Sequence, residues 1–292
     1  MTLTVGLIAA RFVHFVALSV LLGAALFPFY GLAKSDNDAY RRLSWLRPLL
    51  IAMAVLTLAS GLLWFALISD DAFVWVWLFR LVLATALVLL TLSNRAAGVR
   101  LKAIILAAVV LLATIALTGN SGSNDGPLWL QHRLSDAVHL VASGVWIGAL
   151  VVFSRLVTMS VRADREEDLR KVHDALARFA GVGTLAVGTL TFSGMTNPGL
   201  FLSSLETAYG QLVLAKLGVF GAMLALAGAN RFLLTPRLSA TLDGRGPLRV
   251  AVNALRMSVL IETALGFVVL AMVAWLGVLP APTFEPQTID RQ

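Results

Sequence analysis

The chain reads as long apolar runs broken by short polar stretches. Eight runs stand out, over about 4–33, 48–69, 73–93, 100–118, 130–158, 173–196, 208–233 and 249–279, each long enough to cross roughly 30 Å of hydrocarbon. They are rich in Leu, Ala and Val and lack the strict alternation of a barrel strand. In lipid the backbone must satisfy its own hydrogen bonds, so runs of this length predict helices. Breakers such as Gly119-Asn120-Ser121-Gly122 and Asn197-Pro198-Gly199 fall between runs, and no stretch has the make-up of a separate soluble domain.

The polar stretches divide by charge. The odd-numbered ones carry Lys34, Arg41, Arg42 and Arg47; Arg95, Arg100 and Lys102; Arg155, Arg162, Arg165, Arg170 and Lys171; and Arg231, Arg237, Arg245 and Arg249. The even-numbered ones and both tails hold only Arg133 and Arg291. Cytoplasmic loops collect Lys and Arg, so the odd loops are expected inside and both termini outside. No basic segment precedes the first apolar run, so no cleaved signal is expected.

The chain also repeats. Val13-His14-Phe15-Val16-Ala17-Leu18-Ser19-Val20-Leu21-Leu22-Gly23-Ala24 in run one matches Val138-His139-Leu140-Val141-Ala142-Ser143-Gly144-Val145-Trp146-Ile147-Gly148-Ala149 in run five at seven of twelve positions. Runs three and seven share Arg80-Leu81 with Asn94-Arg95 and Lys216-Leu217 with Asn230-Arg231, at the same spacing. Runs two and six share Ser60-Gly61 and Ser193-Gly194, whereas runs four and eight show no convincing match. Equivalent runs lie four apart and point the same way. The expectation is an all-α, eight-helix polytopic protein of two parallel four-helix repeats, 1–120 and 121–292, related by an axis along the membrane normal. His14 and His139 should then sit at equal depth, roughly 15 Å below the outer surface, and face each other across that axis.

Composition agrees with a membrane protein: 59% hydrophobic, 13% charged and a mean hydropathy of +0.86. The net charge of +7 is accounted for by the basic loops and does not call for nucleic acid. With no cysteine there are no disulfides, thiolate relays or CxxC sites. No phosphate-binding loop, GxSxG or HExxH occurs, which argues against an ATP-driven pump or a hydrolase, and no enzyme is expected unless the haem reading below holds.

Ionisable residues within membrane runs usually mark function. Here they are Arg11 and His14, Arg80, Asp136 and His139, Lys216, and Glu262 near the middle of run eight. His132, Asp136 and His139 are spaced i, i+4, i+7 and share a helix face, a plausible ligand set for Cu(II) or another divalent metal. The alternative is that His132 is interfacial and Asp136 pairs with Arg11 or Arg80. His14 and His139 read as a bridging pair for a metal or a haem iron, or as two hydrogen-bonded core histidines. Arg11, Arg80 and Lys216 outnumber Asp136 and Glu262, which suits haem propionates or another anion as well as it suits a cation site. Met195 alone among the methionines lies near an outer helix end, so a methionine ladder for Cu(I) is not supported. Trp75, Trp77, Trp129 and Trp275 form an expected interfacial belt.

These motifs resemble the copper-resistance D family of bacterial inner-membrane proteins, which includes CopD, PcoD and YebZ-like members. The likeness is carried by Arg11-Phe12-Val13-His14-Phe15, by Asp136-Ala137-Val138-His139-Leu140 leading to Gly144-Val145-Trp146-Ile147-Gly148, by Ser193-Gly194 and Asn197, and by Tyr209-Gly210-Gln211-Leu212 with Lys216 and Ala229-Asn230-Arg231. The resemblance implies copper handling at the inner membrane, beside a periplasmic copper-binding partner of the CopC type. It places the family's histidines on His14, His132 and His139. Where many relatives carry a Gly-His pair this chain has Gly119-Asn120, so Asn120 stands as a weaker accessory ligand. Three readings follow. In the first, copper is captured by His132 and Asp136, passed to His14 and His139 and moved inward, with Arg11, Arg80, Lys216 and Glu262 balancing charge. In the second, a b-type haem protein transfers electrons, with His14 and His139 as axial ligands. In the third, the chain is a scaffold for a periplasmic chaperone.

Overall fold

The computed structural model of the chain describes residues 2–32, 43–68, 74–93, 97–118, 129–163, 165–195 and 207–280. Among them, eight helices are long and apolar enough to cross a membrane, and there are no strands. They are α1 (Thr2–Gly31), α2 (Leu46–Leu67), α3 (Val74–Leu92), α4 (Ala97–Ile115, closed by a tight turn at Ala116–Thr118), α5 (Trp129–Ala163), α6 (Glu166–Gly194), α7 (Ala208–Leu242) and α8 (Leu248–Leu276). The chain is thus a multi-pass membrane protein. Most runs keep their expected limits within a few residues. The helices α5, α6 and α7 extend past them because their basic ends remain helical beyond the apolar stretch, and α7 passes through a π turn at Asn230–Leu234 before regaining α geometry.

The core gathers on α1. Leu18, Leu21, Leu22, Ala24, Ala25 and Phe27 are all buried and belong to the main apolar cluster. α1 touches α2, α4, α5, α6 and α8. The first four helices close a ring, α1 to α2 to α3 to α4 and back to α1. In the last four, α5 meets α6 and α8, and α8 meets α7, but α6 meets α7 chiefly through the last turns, Thr235–Leu242. Toward the Gly194 end of α6, the described residues of α6 and α7 are not packed closely together. Across the two sets, α1 packs on α8 as α5 packs on α4, with α1 and α5 together at the centre.

That central contact is a backbone contact. A Cβ on Gly23 would lie 2.5 Å from Gly148 Cα and 2.6 Å from Ala149 N; one on Gly148 would lie 2.8 Å from Gly23 N and Cα and would strike the Ser19 carbonyl. The two glycines occupy matching positions of the repeated segment, and each is the surface on which the other rests. Small residues that let backbones approach are what hold helices together where lipid removes the usual hydrophobic drive.

Many of the basic residues do more than mark loops: they hold helix ends. Arg47 donates to Leu92 O at 3.2 Å, Arg100 to Ser93 O at 3.0 Å, Arg133 to Leu117 O at 2.6 Å, Arg178 to Gly31 O at 3.1 Å and Arg170 to Leu242 O at 2.6 Å. The last carbonyls of a helix have no intrahelical partner and carry the negative end of its dipole, so a guanidinium satisfies both.

Gly148→Ala should destabilise the fold by about 1–3 kcal/mol, the usual cost of overpacking a tight contact. Gly218→Ala, where an added methyl meets nothing within 4 Å, should be neutral. Unfolding midpoints in one detergent check both.

Candidate functional site

The two repeated histidines occupy the same local arrangement. His14 lies four turns into α1 and is 3% exposed. Its Nδ1 is 3.1 Å from Ser60 Oγ on α2. His139, on α5, is half-buried, and its Nδ1 is 2.8 Å from Ser193 Oγ on α6. The serine hydroxyls decide the direction of these bonds. Ser60 Oγ donates to Leu56 O at 2.6 Å, and Ser193 Oγ donates to Thr189 O at 2.6 Å. Each hydroxyl has one proton and spends it on its own helix. The histidine must therefore donate, so the proton sits on Nδ1 and the lone pair on Nε2. An outer partner that fixes the ring and its tautomer in this way is the usual support of a metal-ligating histidine. The glycine after Ser60 makes room for the ring, since a Cβ on Gly61 would lie 3.3 Å from His14 Cε1, whereas one on Gly194 would make an ordinary contact at 3.9 Å from His139 Cε1.

A cation completes each arrangement. Arg80 on α3 lies within electrostatic reach of His14, and Lys216 on α7 within reach of His139. The matched steps of the sequence, His14 with His139, Ser60 with Ser193 and Arg80 with Lys216, thus come together as two sets of the same make-up. Each histidine bonds within its own four helices. The expectation that the two face one another as a bridging pair is replaced by two separate stations.

The surroundings differ. His14 is shut in by aromatics: Trp64 meets it edge-on at 5.6 Å and meets Trp77 edge to face at 5.1 Å, and Phe15 lies 5.9 Å from Trp64. Trp77, expected in an interfacial belt, is instead 2% exposed. Arg11 lies 4.7 Å over Trp64 and against Gly277, just past the end of α8. Arg80 lies 4.6 Å over Trp77 and donates to Thr114 Oγ1 at 3.1 Å, to Thr118 Oγ1 at 2.9 Å and to the Thr114 carbonyl. Neither arginine pairs with Asp136. That carboxylate lies instead within electrostatic reach of Tyr209 and Lys216 on α7.

The stripe His132, Asp136, His139 does not assemble into a closed ligand shell. Among the described residues no three His, Asp or Glu side chains group to hold one ion. Seven residues of helix rise about 10 Å, whereas the ligands of one ion lie about 2 Å from it. His132 lies in the second turn of α5 and Met195 is exposed just past α6; Asn120 lies outside the described residues.

Glu262 is 2% exposed and accepts from Asn230 Nδ2 at 2.8 Å, with the Trp146 indole in its surroundings. Asn230 opens the π turn of α7, so the wider turn delivers the amide to the carboxylate. π turns recur at functional sites. One turn from Glu262's helix neighbours, Ser154 Oγ and Thr263 Oγ1 bond at 2.7 Å between α5 and α8. The histidine partners Ser60 and Ser193 were visible as the repeated Ser-Gly step. Asn230 and Trp146 stood in quoted motifs, but nothing in the sequence joined either to Glu262.

The chain matches known proteins along almost its whole length. Residues 1–72 match the family description "Copper resistance protein D-like, N-terminal domain", and residues 173–276 match "Copper resistance protein D". It is 32% identical to Copper resistance protein D of Pseudomonas syringae pv. tomato, over 95% of this chain and 97% of that one. It is 29% identical to Inner membrane protein YebZ of Escherichia coli K12, over 93% and 97% of the two chains. Copper transport protein CutJ of Bacillus subtilis is 31% identical over 51% of this chain and 25% of its own length. No solved structure matches. With this identity over both full lengths, the chain belongs to the copper resistance protein D family.

Proposed function

We propose that this protein carries copper across the bacterial inner membrane from the periplasm, using His139 and His14 as successive ligands. It acts as a transporter and not as an enzyme. The observation that carries the reading is the repeated His–Ser pair: two histidines in the membrane, each with Nδ1 committed to a serine and Nε2 left with a lone pair. Burying a polar ring in this way is costly without a purpose, and imidazole nitrogen is a good copper ligand. The names of the relatives, copper resistance and copper transport, support copper as the cargo.

The unequal surroundings suggest an order. His139 sits in the half where the described residues of α6 and α7 are not packed closely together, with His132 and Asp136 toward the helix start as a capture stripe. His14 sits in the half whose four helices close a ring. Copper enters at His132, Asp136 and His139, passes to His14 and leaves inward. Asp136 offsets Lys216 at the first station. Glu262, held by a neutral donor, supplies a negative charge near the middle of α8 as the cation passes; Arg11 and Arg80 hold the ends of α8 and α4 and limit the dwell of copper at His14. The distribution of basic loops supports both termini in the periplasm, where a CopC-type copper-binding protein would hand over the metal.

In cells dependent on this protein for copper uptake, His14→Ala and His139→Ala should each reduce copper accumulation to the level of a strain lacking the gene. Normal accumulation in either variant, at equal membrane abundance, would sink the reading. Ser60→Ala and Ser193→Ala keep the ligands but free the rings, so copper affinity of the purified protein should fall by about 10–100-fold. Titration against a competing chelator checks that.

A further inference from the structure

Beside His14 the protein gathers hydrogen-bond donors that find no acceptor among the described residues. Arg11 Nε, Trp64 Nε1 and Arg80 Nη1 are each buried and without a partner. They belong to one cluster: Arg11 lies over Trp64, Trp64 meets Trp77 edge to face, and Arg80 lies over Trp77. Arg11 and Arg80 also bear on each other electrostatically. Arg80 is 3% exposed, and among the described residues neither arginine forms an ion pair. The threonine and carbonyl oxygens of α4 satisfy part of Arg80 and leave Nη1 over. Buried donors are almost always paired, and buried charges are compensated. Here the open valences are all donors and the uncompensated charges all positive.

We infer that the space between Arg11, Trp64 and Arg80 is a binding site for an oxyanion, a phosphate or carboxylate group whose oxygens accept from all three. A guanidinium presents donors in a fork that fits two such oxygens, and an indole N–H adds a third direction. The matching place in the second half has no such gathering, since Lys216 there has Asp136 within reach. The site therefore belongs to the first half alone. It does not depend on copper, and it assigns Arg11 and Arg80 a ligand where the transport reading assigned them charge balance and helix ends.

The test uses the full-length protein in detergent, stripped of copper by a chelator and free of phosphate. Inorganic phosphate is titrated against chloride at constant ionic strength while the unfolding midpoint is followed. The expected result is a saturable rise in the wild type that is absent in Arg11→Gln and reduced in Trp64→Phe, which removes the N–H and keeps an aromatic ring. Arg80→Gln also breaks bonds to α4, so the two milder variants carry the decision. The same wild-type sample is assayed for phospholipid phosphorus and for a haem Soret band. A stoichiometric lipid or haem that is lost in Trp64→Phe and Arg11→Gln would support the site and identify its oxyanion as a head group or a propionate. If phosphate has no saturable effect and no anionic group copurifies, or if both variants respond as the wild type does, the inference is overturned. Copper accumulation plays no part in these readouts, so either proposal can fail alone.

Discussion

Everything in this molecule is arranged around the place where the backbones of α1 and α5 touch, at Gly23 and Gly148. In lipid, apolar side chains gain little by meeting one another, and association depends on close packing and on polar groups finding partners. A glycine at each crossing point lets the two helices approach to backbone distance. Once they do, each is fixed as the inner wall of its own four-helix set, and the histidine nine residues before each glycine is carried to a defined place. On a helix, nine residues are two and a half turns, so a histidine so spaced points away from the crossing. That is why His14 and His139 turn outward to Ser60 and Ser193 and do not meet. The same repeated segment that suggested a facing pair contains, in its spacing, the reason against one.

The second general constraint is that every polar group taken into the membrane must be answered inside the protein. Three answers recur. Serine and threonine return their proton to the preceding turn, as Thr57 does to Met53 O at 2.8 Å and Ser60 to Leu56 O, which leaves their oxygens free to accept from a neighbouring helix. Arginines answer the carbonyls at helix ends. Glu262 is answered by an amide brought in by the π turn of α7, with an indole of mid-α5 in its surroundings. Each answer builds rigidity around the places where the protein departs from plain apolar packing.

What could be read in advance follows from this. The eight helices were legible because lipid demands long apolar runs, and the run of Leu, Ala and Val between basic ends leaves few alternatives. The pairing of histidine with serine was half legible: the Ser-Gly step was visible as a repeat, but only the fold shows that the serine oxygen meets the ring and that Gly61 makes room for His14. The basic residues were read by their distribution, which says where loops fall; that Arg47, Arg133 and Arg178 reach the ends of helices distant in sequence depends on packing. The i, i+4, i+7 stripe of His132, Asp136 and His139 was legible as a face and over-read as a shell, because one helix spreads its side chains along an axis and a closed shell needs a second helix. Asn230 and Trp146 could not be chosen as neighbours of Glu262 from a sequence that gives no register between α5, α7 and α8.

The charges raise the remaining question, which is how a cation can be handled beside Arg80 and Lys216. Two unit charges about 5 Å apart repel by roughly 3 kcal/mol at an effective dielectric constant near 20, enough to lower occupancy by about a hundredfold. At His139 the opposing charge is present, since Asp136 reaches Lys216. At His14 none stands among the described residues, and Arg11 adds to the imbalance. An oxyanion held by Arg11, Trp64 and Arg80 restores there what Asp136 supplies at the other station, and makes the two halves alike in electrostatics although they differ in residues. In the proposed transport reading, an occupied anion site would let copper rest on His14, and an empty one would make the same histidine a place a cation crosses but does not stay.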